Sequence, residues 1–151
     1  MPSATRRHSL NTGRRWALCG LALFAALVVA GNARAGDIVD ASCPCGFHKG
    51  HLFIFGGRAD FQKVCLFPAR CGATRDIALV NVLDMAAGAH GCASNDLTRY
   101  DDPSLAPARP GPAVTYWRLP DKRVMTIYEG GYVCPRCGRP TLRFTRAGNW
   151  D

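Results

Sequence analysis

Two short cysteine motifs, far apart along the chain, are the residues best suited to chemistry. The sequence C-P-C-G occupies 43–46, and C-P-R-C-G occupies 134–138. Proline fixes its own φ and glycine adopts positive φ readily, so both motifs predict tight turns whose backbone N–H groups face sulfur. Four thiolates can bind one tetrahedral Zn²⁺ at about 2.3 Å each. We therefore predict one structural Cys₄ zinc site, formed by Cys43, Cys45, Cys134 and Cys137.

Two other states of the same thiols stay open at this point. They could pair as disulfides, although a bridge between Cys43 and Cys45 would be strained because next-but-one cysteines rarely reach the required geometry. Cys134 and Cys137 could also form a redox-active pair. That role favours a helix N-terminus, whereas the residues around 134–137 have the pattern of strands.

Three further cysteines, Cys65, Cys71 and Cys92, are the candidate catalytic residues. Cys65 and Cys71 flank Pro68, which favours a disulfide that staples a proline turn and leaves one thiol over. The alternative is a second metal site that includes Cys92 and His90. Neither a nucleophile–histidine–acid arrangement nor a phosphate-binding glycine loop is evident.

The remaining soft or nitrogen ligands have simpler interpretations. His48 and His51 follow the first motif and could complete a local site for zinc or copper, but histidines near turns are more often solvated. Met85 and Met125 lie in apolar runs, which favours the core over metal binding.

The first 35 residues have the pattern of a signal peptide. They carry five arginines and no acidic residue, an apolar run at 16–30 and the sequence A-R-A at 33–35. The run falls short of the ~20 residues that cross a bilayer. We predict a cleaved signal at 1–35, and hence a periplasmic or secreted protein without a membrane span after cleavage. Arg14 and Arg15 fit a twin-arginine signal, and export by the general secretory route stays open as the alternative.

Removal of that segment changes the charge argument. The whole chain has a net charge of +8, but the remainder carries 14 basic and 11 acidic residues. That balance gives no reason to expect nucleic acid as a partner.

The residues after the signal predict mostly strands. Alternating apolar residues at 114–119, 124–128 and 141–146 predict half-buried antiparallel strands. Apolar runs favour buried strands at 52–55 and 77–83, although the second also fits a helix. We interpret 36–42 as a short leader before the first motif.

The segment at about 86–112 is rich in Gly, Ala, Pro, Asp and Ser, and we predict a flexible insertion there. The fold class is accordingly mainly β: a single domain at 36–151, built as a small antiparallel β-sandwich or zinc-ribbon assembly with one Cys₄ zinc site.

The order of these motifs resembles a known family. The sequence CPCG, a cysteine pair about twenty residues later and a late YVCPRCGRPTLRF are similar to glutathione-dependent formaldehyde-activating enzymes and their relatives, including centromere protein V. The resemblance implies a zinc-bearing β-sandwich, which B-type methionine sulfoxide reductases share. It implies that Cys43, Cys45, Cys134 and Cys137 bind structural zinc, and that Cys65 and Cys71 mark a second, catalytic zinc site. The family has C-x-C-x₂-C there, whereas this chain has C-x₅-C.

Three functions follow as hypotheses. The first is an exported zinc-binding module without catalysis, which binds a protein, a small thiol or a metal ligand. The second is a carbon–sulfur lyase-like enzyme of the formaldehyde-activating type, with a second zinc at Cys65, Cys71 and Cys92. The third is a disulfide-stapled secreted protein without metal.

Overall fold

Short antiparallel strands are the main regular elements of the protein in the computed structural model, which describes residues 35–57, 60 and 62–151. The predicted signal peptide at 1–35 lies outside these residues except for its last position. The described elements are nine strands and two 3₁₀ turns: β1 (Gly36–Ser42), β2 (His48–Ile54), β3 (Leu66–Cys71), β4 (Asp76–Asn81), η1 (Met85–Ala87), η2 (Ser94–Asp96), β5 (Leu97–Arg99), β6 (Ala113–Arg118), β7 (Val124–Tyr128), β8 (Tyr132–Val133) and β9 (Pro140–Trp150). The predicted mainly β class is confirmed.

The strands form three small sheets. The first has the order β2-β1-β9-β8, the second β4-β3-β5, and the third is the β6-β7 hairpin. Every named pairing is antiparallel. An isolated bridge between Phe55 and Leu66 continues the first sheet toward the second. No helix in the part of the chain that the structure describes is long and apolar enough to cross a membrane.

The interpretation of 36–42 as a leader is wrong, because β1 lies between β2 and β9 in the first sheet. Its side chains at Val39 and Ala41 are buried in the core. The pairing with each neighbour contains a register shift, one between Val39 and Ala41 and the other between Ile38 and Val39. Such irregularities break the two-residue alternation that would have marked the strand in the sequence.

Strand predictions elsewhere agree with the structure. The segment at 77–83 overlaps β4 and is not a helix, and the three alternating segments overlap β6, β7 and β9. β9 extends to Trp150, beyond its predicted end, because its second half pairs with β1. The Trp150 indole N–H donates to the carbonyl of Ile54 at 2.9 Å, which ties the end of β9 to β2.

The segment at 86–112 contains η2, β5 and the last residues of η1, so it has regular structure that we did not predict. Tyr100 and Leu105 are buried. The Tyr100 ring packs edge-on against Tyr132 and Phe144, at centroid distances of 5.8 and 5.3 Å. Elements of three residues are too short to show a periodicity, and their positions depend on these tertiary contacts.

Two contacts attach the β6-β7 hairpin to the rest of the core. Trp117 stacks on Phe55 with ring centroids 5.6 Å apart. The Thr115 hydroxyl donates to the buried Asp37 carboxylate, which also accepts from Arg146 Nε at 2.8 Å. The buried charge is thus paired and hydrogen-bonded, as a carboxylate in such a position requires.

Candidate metal centre

The two cysteine motifs meet at one place in the fold. The first is the turn between β1 and β2, and the second is the turn between β8 and β9. Because β1 and β9 are neighbours in one antiparallel sheet, with Ser42 opposite Arg143, their adjoining turns lie at the same end of that sheet. The sheet therefore brings together cysteines that are 94 residues apart.

The four sulfur atoms lie close enough together to hold one metal ion. Sγ of Cys43 lies 3.8 Å from Sγ of Cys137, and Sγ of Cys45 lies 3.7 Å from Sγ of Cys134. All four lie within 4.8 Å of one another. Tetrahedral zinc with bonds of about 2.3 Å separates its sulfur ligands by about 3.8 Å. The predicted group of four is confirmed as a cluster that could hold a metal.

Glycine completes each turn with positive φ. Gly46 has a φ of 86° and Gly138 a φ of 69°. The Gly46 N–H donates to the carbonyl of Cys43 at 3.0 Å, and the Gly138 N–H donates to the carbonyl of Cys134 at 2.9 Å. Other residues adopt this backbone region only at a cost, so glycine at both positions follows from the turn itself.

Backbone N–H groups in both turns point toward sulfur. The N–H groups of Cys45 and Phe47 approach the sulfurs of Cys43 and Cys45 in the first turn. In the second, Cys134 receives the N–H groups of Arg136 and Cys137, and Cys137 receives that of Arg139. Donors that converge on sulfur stabilise thiolate, which is the form that binds metal.

Thr141 is a member of the site that sequence reasoning missed. Its hydroxyl lies 3.1 Å from Sγ of Cys43. Burial raises the pKa of Cys43, but hydrogen bonds from Thr141 and from the N–H of Cys45 outweigh it and lower that pKa to about 6. Burial dominates at Cys134 and raises its pKa to about 12. Thr141 lies within the stretch YVCPRCGRPTLRF, but only the pairing of β1 with β9 places it near Cys43.

The two turns also contact each other through side chains. The Arg136 guanidinium lies 5.6 Å from the centre of the Phe47 ring, and Phe47 is buried. A cation over an aromatic ring is stabilising by roughly 0.5–1 kcal/mol at a partly exposed site. This contact helps to hold the two turns at the separation that the four sulfurs need.

The three other cysteines do not form one group. Cys71 and Cys92 are joined by a disulfide, whereas Cys65 is a buried free thiol. The expected bridge between Cys65 and Cys71 is therefore wrong. Pro68 lies inside β3 and not in a turn, so Cys65 and Cys71 stand at the two ends of an extended strand, roughly 20 Å apart at ~3.3 Å per residue. A disulfide needs Cα atoms within about 7 Å.

Cys65 has none of the features of a reactive thiol. Its side chain is fully buried, and burial raises its pKa to about 12, with the charge of Arg99 acting in the opposite direction. The backbone N–H of Cys65 donates to the Asn81 side chain at 2.9 Å. Cys65 therefore belongs to the core beside β3 and β4.

The histidines and methionines that could have been metal ligands do not belong to the cysteine groups found among the described residues. His48, His51 and His90 are exposed, and none belongs to the ligand groups found among the described residues. Met125 is buried in the core, as expected, and Met85 lies in η1.

Comparison of the chain with models of protein families, with curated proteins and with solved structures finds no match. The resemblance to formaldehyde-activating enzymes therefore stays a prediction that depends on the motif residues. Fold and site define a class: a mainly β, cysteine-rich protein with a four-cysteine group that could hold a metal, and with one disulfide elsewhere among the described residues.

Proposed function

We propose that this protein is an exported zinc-binding module in which zinc holds the fold together and that acts by binding a partner, without catalysis. The observation that carries the proposal is the convergence of Cys43, Cys45, Cys134 and Cys137 within 4.8 Å. The partner expected from the sequence is a protein, a small thiol or a metal ligand.

Zinc is the ion that the ligands fit best. Four thiolates in a tetrahedral arrangement favour zinc or an iron–sulfur centre. The sulfur separations of 3.7 and 3.8 Å match those around a single small ion at Zn–S distances of about 2.3 Å. The tight turns at 43–46 and 134–138, whose N–H groups point toward sulfur, also support zinc as the ion.

The position of the site supports a structural role. Four protein ligands complete the coordination of zinc, so no position is left for a substrate or an activated water. The ion would join the turn after β1 to the turn before β9. Two of the four sulfur atoms belong to buried residues, Cys43 and Cys134, which limits access by solvent.

The states of the other cysteines favour the non-catalytic hypothesis over the enzyme. A second catalytic zinc at Cys65, Cys71 and Cys92 needs three thiolates at one place. Cys71 and Cys92 are bonded to each other, and Cys65 is outside the ligand groups found in the described residues. The same disulfide supports export, since disulfides persist mainly in oxidising compartments.

Metal analysis combined with thiol counting tests the proposal. The chain should be expressed with residues 1–35, the mature product recovered from the exported fraction and purified without a reductant. We expect one zinc per chain and, after unfolding with a chelator, five free thiols and one disulfide. A product without metal whose motif cysteines are oxidised would overturn the proposal in favour of the disulfide-stapled alternative.

Matched variants assign the zinc to its ligands. Cys134→Ser should lose zinc, whereas Cys65→Ala should keep it, although both changes remove a buried sulfur. Equal zinc contents in the two variants would contradict the assignment. Recovery of the protein only from the cytoplasmic fraction, with residues 1–35 still attached, would contradict export.

A further inference from the structure

A second group of potential metal ligands surrounds the disulfide. The sulfurs of Cys71 and Cys92 and a carboxylate oxygen of Asp96 lie within 4.8 Å of one another. Cys71 ends β3, Cys92 precedes η2, and Asp96 is the last residue of η2. Cys65, the residue that sequence reasoning placed in a second site, is not a member. The group is distinct from the four-cysteine cluster, since the two share no residue.

The Asp96 carboxylate is held in position by the loop after β3. Its Oδ2 accepts a hydrogen bond from the N–H of Ala73 at 2.8 Å, and the Asp96 carbonyl accepts one from the N–H of Gly72 at 2.9 Å. A Cβ on Gly72 would lie only 2.8 Å from Oδ1. Glycine at 72 therefore allows the carboxylate to lie against the backbone directly beside Cys71.

We propose that this group is a redox-gated site for a zinc-like divalent cation, closed while Cys71 and Cys92 are bonded and available when they are reduced. Two thiolates and one carboxylate are three ligands of types that zinc takes, and three protein ligands leave a fourth position for water or for a small thiol. The disulfide keeps both sulfurs from binding a metal, because cysteine binds metal as the thiolate.

Reduction of the disulfide between Cys71 and Cys92 requires two electrons from an external reductant. A phosphine attacks one sulfur of the disulfide, the S–S bond breaks, and water hydrolyses the adduct to give the phosphine oxide and two thiols. Zinc then replaces the two thiol protons, which pass to solvent. In a cell a dithiol would supply the two electrons and become a disulfide itself.

Opening needs only a small movement of the two side chains. The sulfurs must separate from bonding distance to about 3.8 Å, the spacing of two sulfur ligands on zinc. The backbone of Cys92 is tied by two hydrogen bonds to Ala89, at 2.9 and 3.2 Å. Cys71 is fixed by strand pairing with Asp76 and with Leu97. The ligands should therefore stay close together after reduction.

Zinc stoichiometry in the two redox states tests the proposal. Purified protein is treated with a water-soluble phosphine or left oxidised, then equilibrated with zinc, desalted and analysed for metal. We expect one zinc per oxidised chain and two per reduced chain. One zinc in both states would overturn the proposal without affecting the four-cysteine site, which is read from the oxidised sample alone.

Variants separate this site from unspecific zinc binding by new thiols. Asp96→Asn keeps an oxygen acceptor for Ala73 and should lower the affinity for the second zinc at least tenfold, and Gly72→Ala should weaken it by displacing the carboxylate. The control variants Asp102→Asn and Cys65→Ala should both retain the second zinc. In the wild type the Asp102 carboxylate accepts a hydrogen bond from Ser104 and lies outside the proposed site. Retention in Asp96→Asn, or loss in Cys65→Ala with the fold intact, would overturn the assignment.

Discussion

The two cysteine groups differ in the state of their sulfur atoms: the first consists of free thiols, and the second contains a disulfide. At the first, two turns from distant parts of the chain hold four sulfurs within 4.8 Å of one another, with N–H groups directed at them. At the second, the end of β3 and the loop before η2 bring Cys71 and Cys92 into a covalent bond, across a sequence separation of 21. Spacing within a motif therefore indicates a metal site only when the fold supplies a second motif at the right distance.

Loss of the metal should have the largest effect. Structural zinc contributes on the order of 10 kcal/mol to the folding of small zinc domains, so treatment with a strong chelator should unfold this protein. Circular dichroism should show loss of the β signal, with recovery when zinc is added. A chelated protein that keeps its spectrum and its melting temperature would show that the four-cysteine site is not what holds the fold.

Loss of the disulfide should have a smaller effect and leave the metal in place. Replacement of both Cys71 and Cys92 by serine removes the constraint on a loop of 21 residues, which corresponds to about 3 kcal/mol. Urea unfolding should measure this decrease in the free energy of unfolding. Zinc content should stay at one per chain, and its loss would mean that the two regions depend on each other.

The buried thiol of Cys65 should make stability depend on alkaline pH. Burial raises its pKa to about 12, so between ~8.5, the pKa of an exposed thiol, and 12 the unfolded chain loses a proton that the folded chain keeps. The neutral Cys65 thiol therefore contributes its full stabilisation below about pH 8.5, and this contribution decreases as the pH rises toward 12. From pH 8.5 to 10 we expect the free energy of unfolding to fall by about 2 kcal/mol more in the wild type than in Cys65→Ala. Equal pH dependence of the two proteins, measured by urea unfolding, would show that Cys65 does not have this raised pKa.

Two tyrosines of the aromatic cluster give the smallest and sharpest contrast. The Tyr100 hydroxyl is buried and has no hydrogen-bond partner within the described part of the chain, whereas the Tyr132 hydroxyl accepts from the N–H of Tyr128 at 2.8 Å. An unpaired buried hydroxyl is destabilising and a paired one stabilising, each by about 1 kcal/mol.

Tyr100→Phe should therefore raise the melting temperature and Tyr132→Phe should lower it. Calorimetry of the two variants measures both shifts. Shifts of the same sign in the two variants would show that the hydrogen bonding of these hydroxyls does not decide their effects on stability.

The sequence was sufficient to predict the group of four cysteines, because the pattern that marks each of the two turns is local. Each motif contains its own proline or glycine, and the turns depend only on residues within it. Strands with regular alternation, such as β6 and β7, were predictable for the same reason. β1 was not, because its two register shifts hide the alternation and its place between β2 and β9 is a tertiary property.

The disulfide could not be predicted from spacing. Cys65 and Cys71 are close in sequence, but an extended strand separates them, and the proline between them proved to lie in that strand. The partner of Cys71 is instead set by β3 and β5, where Cys71 lies opposite Leu97 and near the loop that carries Cys92. Thr141 and Asp96 were missed for a similar reason, since the position of each beside a cysteine depends on tertiary contacts and not on cysteine spacing.

X-ray absorption at the zinc edge of the purified, oxidised protein tests directly whether four cysteine sulfurs bind one zinc ion. We predict four sulfur neighbours at about 2.3 Å and no nitrogen or oxygen in the first coordination shell. A shell that contains histidine nitrogen or water oxygen, or fewer than four sulfurs, would contradict the account that Cys43, Cys45, Cys134 and Cys137 together hold one ion.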